Sequence, residues 1–378
     1  MTKPSDKTLI SWQRQLEETL IRLSDAERFT ARISERDVYD AAAAYLIRPS
    51  KRLLGMAFLH AAHVLGTKVF HRDDLIAVAA ALEIRHGAIL LHDDIVDGDT
   101  RRGGHPTAHH ALRSSFGAGE AASAALFAGD ILAGLAPLPI VRSNLPAAVR
   151  ARLCELFQAN GALVAAGQIE QLHLDVCRDV TAVREADILR IHALQFVPYL
   201  MCSIELAGTL AGLGRAALSR VTKAGIPLCQ GFQVQNDVAG FTELARVLSS
   251  DEVSEPALTI ANTSDLARRR RTVLIRAALD RLALEGRDQL AAYLAGADVD
   301  LKTVVALVGA SGAADYCSAL VADLHRQARE RISTDPELPG HVRTALASTW
   351  EYMTALYDPD SPTSRLYLSA RPDLSTPS

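Results

Sequence analysis

Three aspartates stand at the end of an apolar stretch, where their spacing is suited to metal chemistry. The segment from Leu90 to Arg102 reads LLHDDIVDGDTRR and contains Asp93, Asp94 and Asp97. In a helix, residues four apart lie on one face, so Asp93 and Asp97 would present their carboxylates side by side. Clustered carboxylates repel one another unless cations neutralise them. Because Mg²⁺ prefers carboxylate and phosphate oxygens, the spacing predicts a magnesium site at Asp93 and Asp97.

Two arginines follow these aspartates directly. Arg101 and Arg102 carry guanidinium groups, which bind phosphate oxygens through paired N–H donors. A plain acidic helix end is the alternative, but negative charge at a helix C-terminus opposes the helix dipole. Acids and arginines together indicate a site for a polyanion, with a catalytic group of Asp93, Asp94, Asp97 and Arg101.

Helical periodicity runs through the chain and must position these residues. Apolar residues recur at spacings of three and four, alanine and leucine dominate, and only 5% of the residues are aromatic. The pattern predicts an all-α protein. Helices are expected at 36–47, 51–66, 73–97, 119–136, 147–173, 186–210, 217–247, 265–295, 301–331 and 341–357.

The chain reads as one helical domain followed by a tail. No linker rich in proline, glycine or serine divides its middle, so a single domain is expected over residues 1–357. Prolines recur after Tyr357, at Pro359, Pro362, Pro372 and Pro377. Residues 358–378 are therefore predicted to be extended or disordered.

Composition excludes several classes of protein. A net charge of −4 over 378 residues argues against a general nucleic-acid binder, which needs a basic surface. Asp130 interrupts the longest apolar run, so no stable membrane insertion is expected. The first residues lack the apolar core of a secretory signal, and the five cysteines form no CxxC pair. We expect a cytoplasmic protein with reduced thiols.

The aspartate and arginine block resembles the trans-isoprenyl diphosphate synthase (polyprenyl synthetase) family. That family's first aspartate motif is DDxxD, followed by Arg-Arg-Gly and Pro-Thr. The segment 93–97 matches DDxxD, 101–103 matches Arg-Arg-Gly, and 106–107 matches Pro-Thr after one extra residue. The resemblance covers roughly residues 40 to 320 and implies the all-α isoprenoid-synthase bundle with a central active-site cavity. It also implies Mg²⁺, an allylic isoprenoid diphosphate as substrate and a homodimer.

The resemblance extends to substrate-binding positions. Short family signatures are matched at 129–130 and 167–168, and the late DLxxGKxT segment is matched around Arg270 with arginine for lysine. The residues that the resemblance assigns to diphosphate binding are Lys51, His86, Arg101, Arg102 and Arg270. Those assigned to the substrate pocket are Leu54, Ala88, Ile89, Gln195, Phe196 and Gln233, with Ala88 and Ile89 beside the growing chain.

The chain departs from the family pattern at several substrate ligands. The second aspartate motif reads NDVAG at 236–240, which leaves Asp237 as its predicted metal ligand and predicts a weak site. Leu54 replaces an arginine that binds diphosphate in the family. The family's Lys-Thr pair is Gln195 and Phe196 here, and the Phe196 ring could stabilise a carbocation.

These departures leave the acceptor open. We interpret the chain first as a Mg²⁺-dependent prenyltransferase that ionises an allylic diphosphate and transfers the prenyl group to a non-isopentenyl acceptor, such as an aromatic ring. Leu54 would then be an apolar wall of the acceptor site. The alternative is elongation with isopentenyl diphosphate, as in geranyl, farnesyl or geranylgeranyl diphosphate synthases. A terpene cyclase or a non-catalytic synthase subunit would be a further alternative.

Overall fold

The structure is a computed structural model that describes residues 3–30, 35–67, 69–176, 179–249, 264–358 and 361–369. It confirms an all-α fold. A two-stranded hairpin, β1 (Arg101–Arg102) and β2 (His105–Pro106), lies between the fourth and fifth helices. The helices are α1 (Asp6–Thr30), α2 (Arg36–Ile47), α3 (Leu53–Leu65), α4 (Arg72–Asp97), α5 (Ala108–Ala111), α6 (Arg113–Leu135), α7 (Leu138–Arg142), α8 (Ala147–Asp175), α9 (Glu185–Leu210), α10 (Arg215–Ser249), α11 (Val273–Arg281), α12 (Leu284–Leu294), α13 (Leu301–Ala310), α14 (Ala313–Thr334), α15 (Gly340–Tyr357) and α16 (Pro362–Ser369).

Three of the expected elements need correction. The helix expected at 265–295 is a turn followed by α11 and α12, and the helix expected at 301–331 is divided into α13 and α14. The tail expected to be extended or disordered contains α16, while 359–360 and 370–378 lie outside the described residues. Ser361 accepts a hydrogen bond from the Ser364 N–H at 3.0 Å, and Pro362 occupies the first helical position. Ser361 and Pro362 therefore begin a helix here. The prolines of the tail had predicted an extended or disordered chain, because their role as first helical residues was not considered.

The described residues form two compact units. Unit 1 comprises 1–159, 202–221 and 332–378, and unit 2 comprises 160–201 and 222–331. The core of unit 1 includes the fully buried Met56, Phe58, Leu82, Leu91 and Trp350. The core of unit 2 includes Val234, Leu244, Leu274, Leu290, Val304 and Cys317. The single domain over 1–357 stays a prediction.

Buried charges join α3 to α4 inside unit 1. The Glu83 carboxylate accepts a hydrogen bond from the Gly55 N–H at 2.8 Å, and its other oxygen lies 3.9 Å from the Arg52 guanidinium. Arg52 also lies 3.9 Å from Glu17. Burial raises the pKa of Glu83, although the Arg52 charge opposes the shift. Paired in this way, the charges fix the start of α3 against α4.

Several helices are apolar enough to cross a membrane by length and composition alone. They are α4 (Arg72–Asp97), α6 together with α7 (Arg113–Arg142) and α9 (Glu185–Leu210). The bent pair α13 and α14 (Leu301–Ala310 and Ala313–Thr334) is a fourth if it counts as one span. In the first and third, 61% of the apolar window is buried inside the protein. The sequence prediction rested on uninterrupted apolar runs, whereas the apolar segments of these helices contain up to two charged residues. The absence of membrane insertion stays a prediction.

The cysteines of the described residues are reduced. Cys154, Cys202, Cys229 and Cys317 are free thiols, and Cys177 lies outside the described residues. Burial raises the pKa of Cys202 and Cys317 to about 12. These two thiols therefore stay protonated and unreactive at neutral pH.

We expect acid to destabilise the protein through His60. This imidazole is 2% exposed, stacks on Tyr352 and lies 3.1 Å from the Thr349 hydroxyl. Burial lowers its pKa to about 3. Below pH 6.5 the His60 side chain of the unfolded chain gains a proton that it does not bind in the folded chain. His60 alone therefore lowers the free energy of unfolding by about 2 kcal/mol between pH 7 and pH 5. Denaturant unfolding at several pH values measures this loss.

A matched pair of variants separates His60 from the other titrating groups. His60→Gln should reduce the loss of stability between pH 7 and pH 5 by about 2 kcal/mol, because glutamine does not titrate. Other histidines with lowered pKa values, such as His86 and His192, keep the rest of the slope. His105→Gln, at an exposed hairpin position, should leave the slope as in the wild type. Equal slopes in all three proteins would contradict the assignment.

Candidate active site

A tight hairpin turns the chain back onto the end of α4. Arg101 pairs with Pro106 and Arg102 pairs with His105. Gly103 and Gly104 form the turn with φ of 57° and 82°. Two successive positive φ values define a type I′ turn, which glycine adopts without strain. The hairpin thereby places the side chain of Arg102 beside the aspartates of α4.

Asp94 is the buried centre of this arrangement. Its side chain is fully buried and accepts hydrogen bonds from the Tyr45 hydroxyl and from Nε of Arg102. The Tyr45 oxygen in turn accepts a hydrogen bond from the Ala108 N–H at 3.2 Å. Burial raises the pKa of Asp94, although the Arg102 charge opposes the shift, and burial with the Asp94 charge raises the pKa of Tyr45 to about 12. Asp94 therefore joins α2, α4 and the hairpin.

Arg102 links three carboxylates. Its terminal nitrogen lies 3.4 Å from Asp93 and 3.4 Å from Asp99, while Nε contacts Asp94. Burial lowers the pKa of Arg102, but the charges of Asp94 and Asp93 outweigh it and the net shift is upward. The guanidinium is thus charged at neutral pH.

Asp93 and Asp97 are the accessible carboxylates. The Asp93 side chain is 29% exposed and Asp97 is partly exposed in the last turn of α4. In the described part of the chain, no three His, Cys, Asp or Glu side chains gather into a ready metal site. Mg²⁺ is commonly held by one or two carboxylates together with waters and substrate phosphates. Asp93 and Asp97 are suited to be the protein ligands of such a site.

Two predicted cationic ligands are engaged elsewhere in unit 1. Arg101 donates to the Gly104 carbonyl oxygen at 2.6 Å and so braces the hairpin turn. Lys51 donates to the Tyr357 carbonyl oxygen at 2.9 Å, at the end of α15, and burial lowers its pKa. Of the two arginines, Arg102 rather than Arg101 contacts the aspartates. The catalytic role of Arg101 toward a diphosphate stays a prediction.

His86 is on α4 and lies near two cations, Arg102 of the hairpin and Arg52 before α3. Burial, with the charges of Arg102 and Arg52, lowers its pKa to about 4. A neutral imidazole beside two guanidinium groups is suited to donate a hydrogen bond to an anion. The sequence did not point to Arg52, which is 4% exposed, or to Tyr45, whose contact spans 49 positions of the chain.

The substrate-pocket residues of unit 1 are largely buried. Leu54 is 2% exposed in the first turn of α3, Ala88 is 3% exposed, and Ile89 is partly exposed. Leu54 is therefore a core residue of unit 1 rather than the apolar wall that the sequence predicted. The Leu54 N–H also donates to the buried Glu83 carboxylate, which holds this turn of α3 against α4.

In unit 2, a close helix crossing explains the Gly167–Gln168 signature. A Cβ on Gly167 would lie 2.8 Å from the backbone of Leu194 and of Gln195. Gln195 donates to the Gln168 side-chain oxygen at 2.9 Å. Phe196 faces Tyr199 edge-on, with ring centroids 5.8 Å apart. The glycine thus brings α8 against the predicted substrate residues of α9.

We expect Gly167→Ala to lower the free energy of unfolding by about 1–3 kcal/mol, because the added methyl group would clash with the rigid α9 backbone at Leu194 and Gln195. The matched control is Gly240→Ala in the same unit, where a Cβ would meet nothing within 4 Å. That change should stabilise the helix by about 0.5–1 kcal/mol. Chemical denaturation of both variants measures the difference, and equal stabilities would contradict the close crossing.

The second aspartate motif lies on α10 in unit 2. Asp237 is 4% exposed and accepts from the Gln233 side chain at 2.9 Å. Its other oxygen lies 3.9 Å from Nε2 of His192. Burial raises the pKa of Asp237, and burial lowers that of His192 to about 3. The sequence predicted Asp237 as a ligand of a weak metal site, and in the structure its carboxyl is buried.

Arg270 lies between carboxylates of unit 2. Its guanidinium is 3.4 Å from Asp265 and 3.9 Å from Asp175. Burial raises the pKa of Asp175, and the Arg270 charge opposes that shift. The predicted diphosphate ligand is thus held by ion pairs, and its role in anion binding stays a prediction.

Comparison with known proteins agrees with this geometry. The polyprenyl synthetase family model matches residues 36–308. A short chain isoprenyl diphosphate synthase of Methanothermobacter thermautotrophicus is 25% identical over 282 residues, 74% of this chain and 79% of that one. A geranylfarnesyl diphosphate synthase of Aeropyrum pernix is 24% identical over 322 residues, 84% of this chain and 94% of that one.

A solved structure supports the fold independently. The geranylgeranyl pyrophosphate synthase of Corynebacterium glutamicum, complexed with isoprenyl diphosphate and magnesium, aligns with a TM-score of 0.74 at 20% identity. The alignment covers 92% of this chain and 99% of that one. The fold is thus the all-α isoprenoid-synthase fold, and the chain belongs to the polyprenyl synthetase family of prenyltransferases.

Proposed function

We propose that this chain is a Mg²⁺-dependent trans-isoprenyl diphosphate synthase, which elongates an allylic isoprenoid diphosphate with isopentenyl diphosphate. The observation that carries the proposal is the intact first motif, in which Asp93 and Asp97 are accessible and Arg102 adds a guanidinium. The names of the similar proteins support isopentenyl diphosphate as the acceptor.

The residues would act by positioning and neutralising a diphosphate. Bound Mg²⁺ would stabilise the negative charge that develops on the departing diphosphate. Asp93 and Asp97 would hold the metal, and Asp94 would fix Arg102 in place. His86 would donate a hydrogen bond to a phosphate oxygen, because its lowered pKa keeps it neutral. Aligning such donors before reaction is an efficient way to accelerate ionisation.

Transfer to a non-isopentenyl acceptor has less support. The sequence favoured it because Leu54 replaces a diphosphate-binding arginine. Leu54 is 2% exposed, so its side chain belongs to the core of unit 1. The similar proteins named above are isoprenyl diphosphate synthases. Elongation is therefore the function we propose.

The test is an assay of purified protein with C5, C10 and C15 allylic diphosphates, each with and without isopentenyl diphosphate. We expect products longer by five carbons per step, formed only when Mg²⁺ and isopentenyl diphosphate are both present. Consumption of the allylic substrate without isopentenyl diphosphate would instead indicate a cyclase or another acceptor. No consumption under any condition would indicate a non-catalytic subunit.

We also propose that the enzyme is a homodimer and that α6 contributes to its interface. On this helix Leu126 is 45% exposed and Phe127 is 60% exposed, and the neighbouring Ala122 and Ala133 are exposed as well. Large apolar side chains on one exposed face are typical of an interface between subunits. Light scattering of the wild type and of Phe127→Glu would test this, with dissociation expected in the variant. A cytoplasmic location stays a prediction.

A further inference from the structure

The second aspartate motif presents no carboxylate on the exposed face of α10. Positions 236 and 240 are four apart and so lie on one face of the helix. Asn236 and Gly240 are both exposed there, and they carry an amide and no side chain. The remaining acid of the motif, Asp237, is 4% exposed. The motif therefore differs from a metal-binding DDxxD in composition, and its one remaining carboxylate is buried rather than exposed.

The surroundings of Asp237 do not fit a magnesium ligand. One carboxyl oxygen accepts from Nε2 of Gln233 at 2.9 Å, and the other faces Nε2 of His192 at 3.9 Å. His192 is 3% exposed, and the fully buried Cys317 lies nearby. Mg²⁺ keeps several of its water ligands when it binds protein. At 4% exposure this carboxyl is surrounded by protein groups, among them the Gln233 amide, the His192 imidazole and the Cys317 thiol, rather than by the waters that such an ion keeps. Asp265 and Arg270 also act on its charge.

The contacts of Asp237 lead instead toward the surface. Gln233 is partly exposed, and its side-chain oxygen lies 3.4 Å from the Asn236 amide nitrogen. The buried carboxyl therefore orients Gln233, and Gln233 contacts the exposed Asn236. Ordered side chains of this kind owe their direction to the buried group that holds them.

We infer that Asp237 is a positioning residue for Gln233 rather than a ligand of Mg²⁺, so that the metal dependence of the enzyme rests on the first aspartate motif. The inference refines the proposed function, because it assigns the metal to one of the two motifs. It also leaves neutral groups, Gln233 and Asn236, as the polar side chains that the motif presents at the surface, where a magnesium site would require charge.

Magnesium titrations of two Asp237 variants test this assignment. Asp237→Asn keeps an oxygen that accepts from Gln233, whereas Asp237→Ala removes it. One measurement is the Mg²⁺ concentration that gives half-maximal turnover. The other is calorimetric binding of an unreactive thio-analogue of the allylic diphosphate at several Mg²⁺ concentrations. Asp93→Asn, in the first motif, is the matched control for loss of a metal ligand.

We expect both Asp237 variants to keep the Mg²⁺ midpoint within about twofold of the wild type, and Asp93→Asn to raise it about tenfold or more. Asp237→Ala should lower kcat more than Asp237→Asn does, and Gln233→Ala should reproduce that loss. The double variant Asp237→Ala with Gln233→Ala should then lose no more than either single variant. If Asp237→Ala does not fold, Asp237→Asn and Gln233→Ala decide the question.

A tenfold or larger rise in the Mg²⁺ midpoint of Asp237→Asn, in turnover or in calorimetry, would overturn the inference. Elongation by the wild type, measured in the same assay, would leave the proposed function standing in that case. Conversely, a wild type that does not elongate would overturn the proposed function. The calorimetric arm would still test the metal assignment, because it requires binding of the analogue and not its reaction.

Discussion

Asp93→Asn should reduce turnover about a thousandfold and leave the fold intact. The carboxylate is 29% exposed and its contact with Arg102 is a long one of 3.4 Å, so its loss removes little packing. An amide oxygen carries no full charge and binds Mg²⁺ much more weakly than a carboxylate. The measurement is steady-state elongation at saturating substrates, with thermal unfolding of the same preparation.

Asp99→Asn is the matched control for Asp93→Asn. Asp99 also lies 3.4 Å from Arg102, and its side chain is 18% exposed, but it stands outside the DDxxD motif. We expect a loss of less than about tenfold, because only the ion pair with Arg102 is weakened. Comparable losses in the two variants would show that the Arg102 ion pairs, rather than metal binding, determine activity.

Asp94→Ala should lower the free energy of unfolding by about 3–5 kcal/mol. The carboxyl is fully buried and accepts from both Tyr45 and Arg102. Its removal leaves the Tyr45 hydroxyl without its buried acceptor and takes from Arg102 the nearest of its three carboxylate partners. Denaturant unfolding of unit 1, followed by tryptophan fluorescence, measures the change, because Trp12 and Trp350 are both buried there.

Tyr45→Phe separates the hydrogen bond from the ion pair. It removes the hydroxyl and leaves the contact between Asp94 and Arg102, so we expect a loss of about 1 kcal/mol. Asp94→Ala should therefore cost several times as much as Tyr45→Phe. An Asp94→Ala protein as stable as the wild type would contradict the structural role of this carboxyl. Asp94 would then have to be regarded as a metal ligand beside Asp93.

Local sequence patterns predicted much of this architecture. The helix expected at 73–97 is observed at Arg72–Asp97, and the helix expected at 36–47 is observed at Arg36–Ile47. Apolar spacing and the turn residues that follow each helix are local properties, so a single sequence carries them. For the same reason the spacing of Asp93 and Asp97 predicted two carboxylates on one face.

The direction of individual side chains could not be predicted in the same way. Arg101 and Arg102 are adjacent and chemically alike, and the hairpin register decides which of them meets the aspartates. Leu54 and Asp237 occupy positions that matter in the family, but packing with distant parts of the chain buries both. Burial of this kind depends on tertiary contacts, which local periodicity does not contain.

The short hairpin that carries Arg102 also affects how metal ions reach the aspartates. Because the guanidinium is tethered within 3.4 Å of Asp93, its effective concentration at the carboxylates is far above that of any free cation. Under the proposed function, bare Mg²⁺ would compete with this built-in counter-ion. An incoming diphosphate would offer Arg102 an alternative anion and would bring its own metal ions. Metal and substrate should therefore bind with positive cooperativity, each raising the affinity for the other by the same factor.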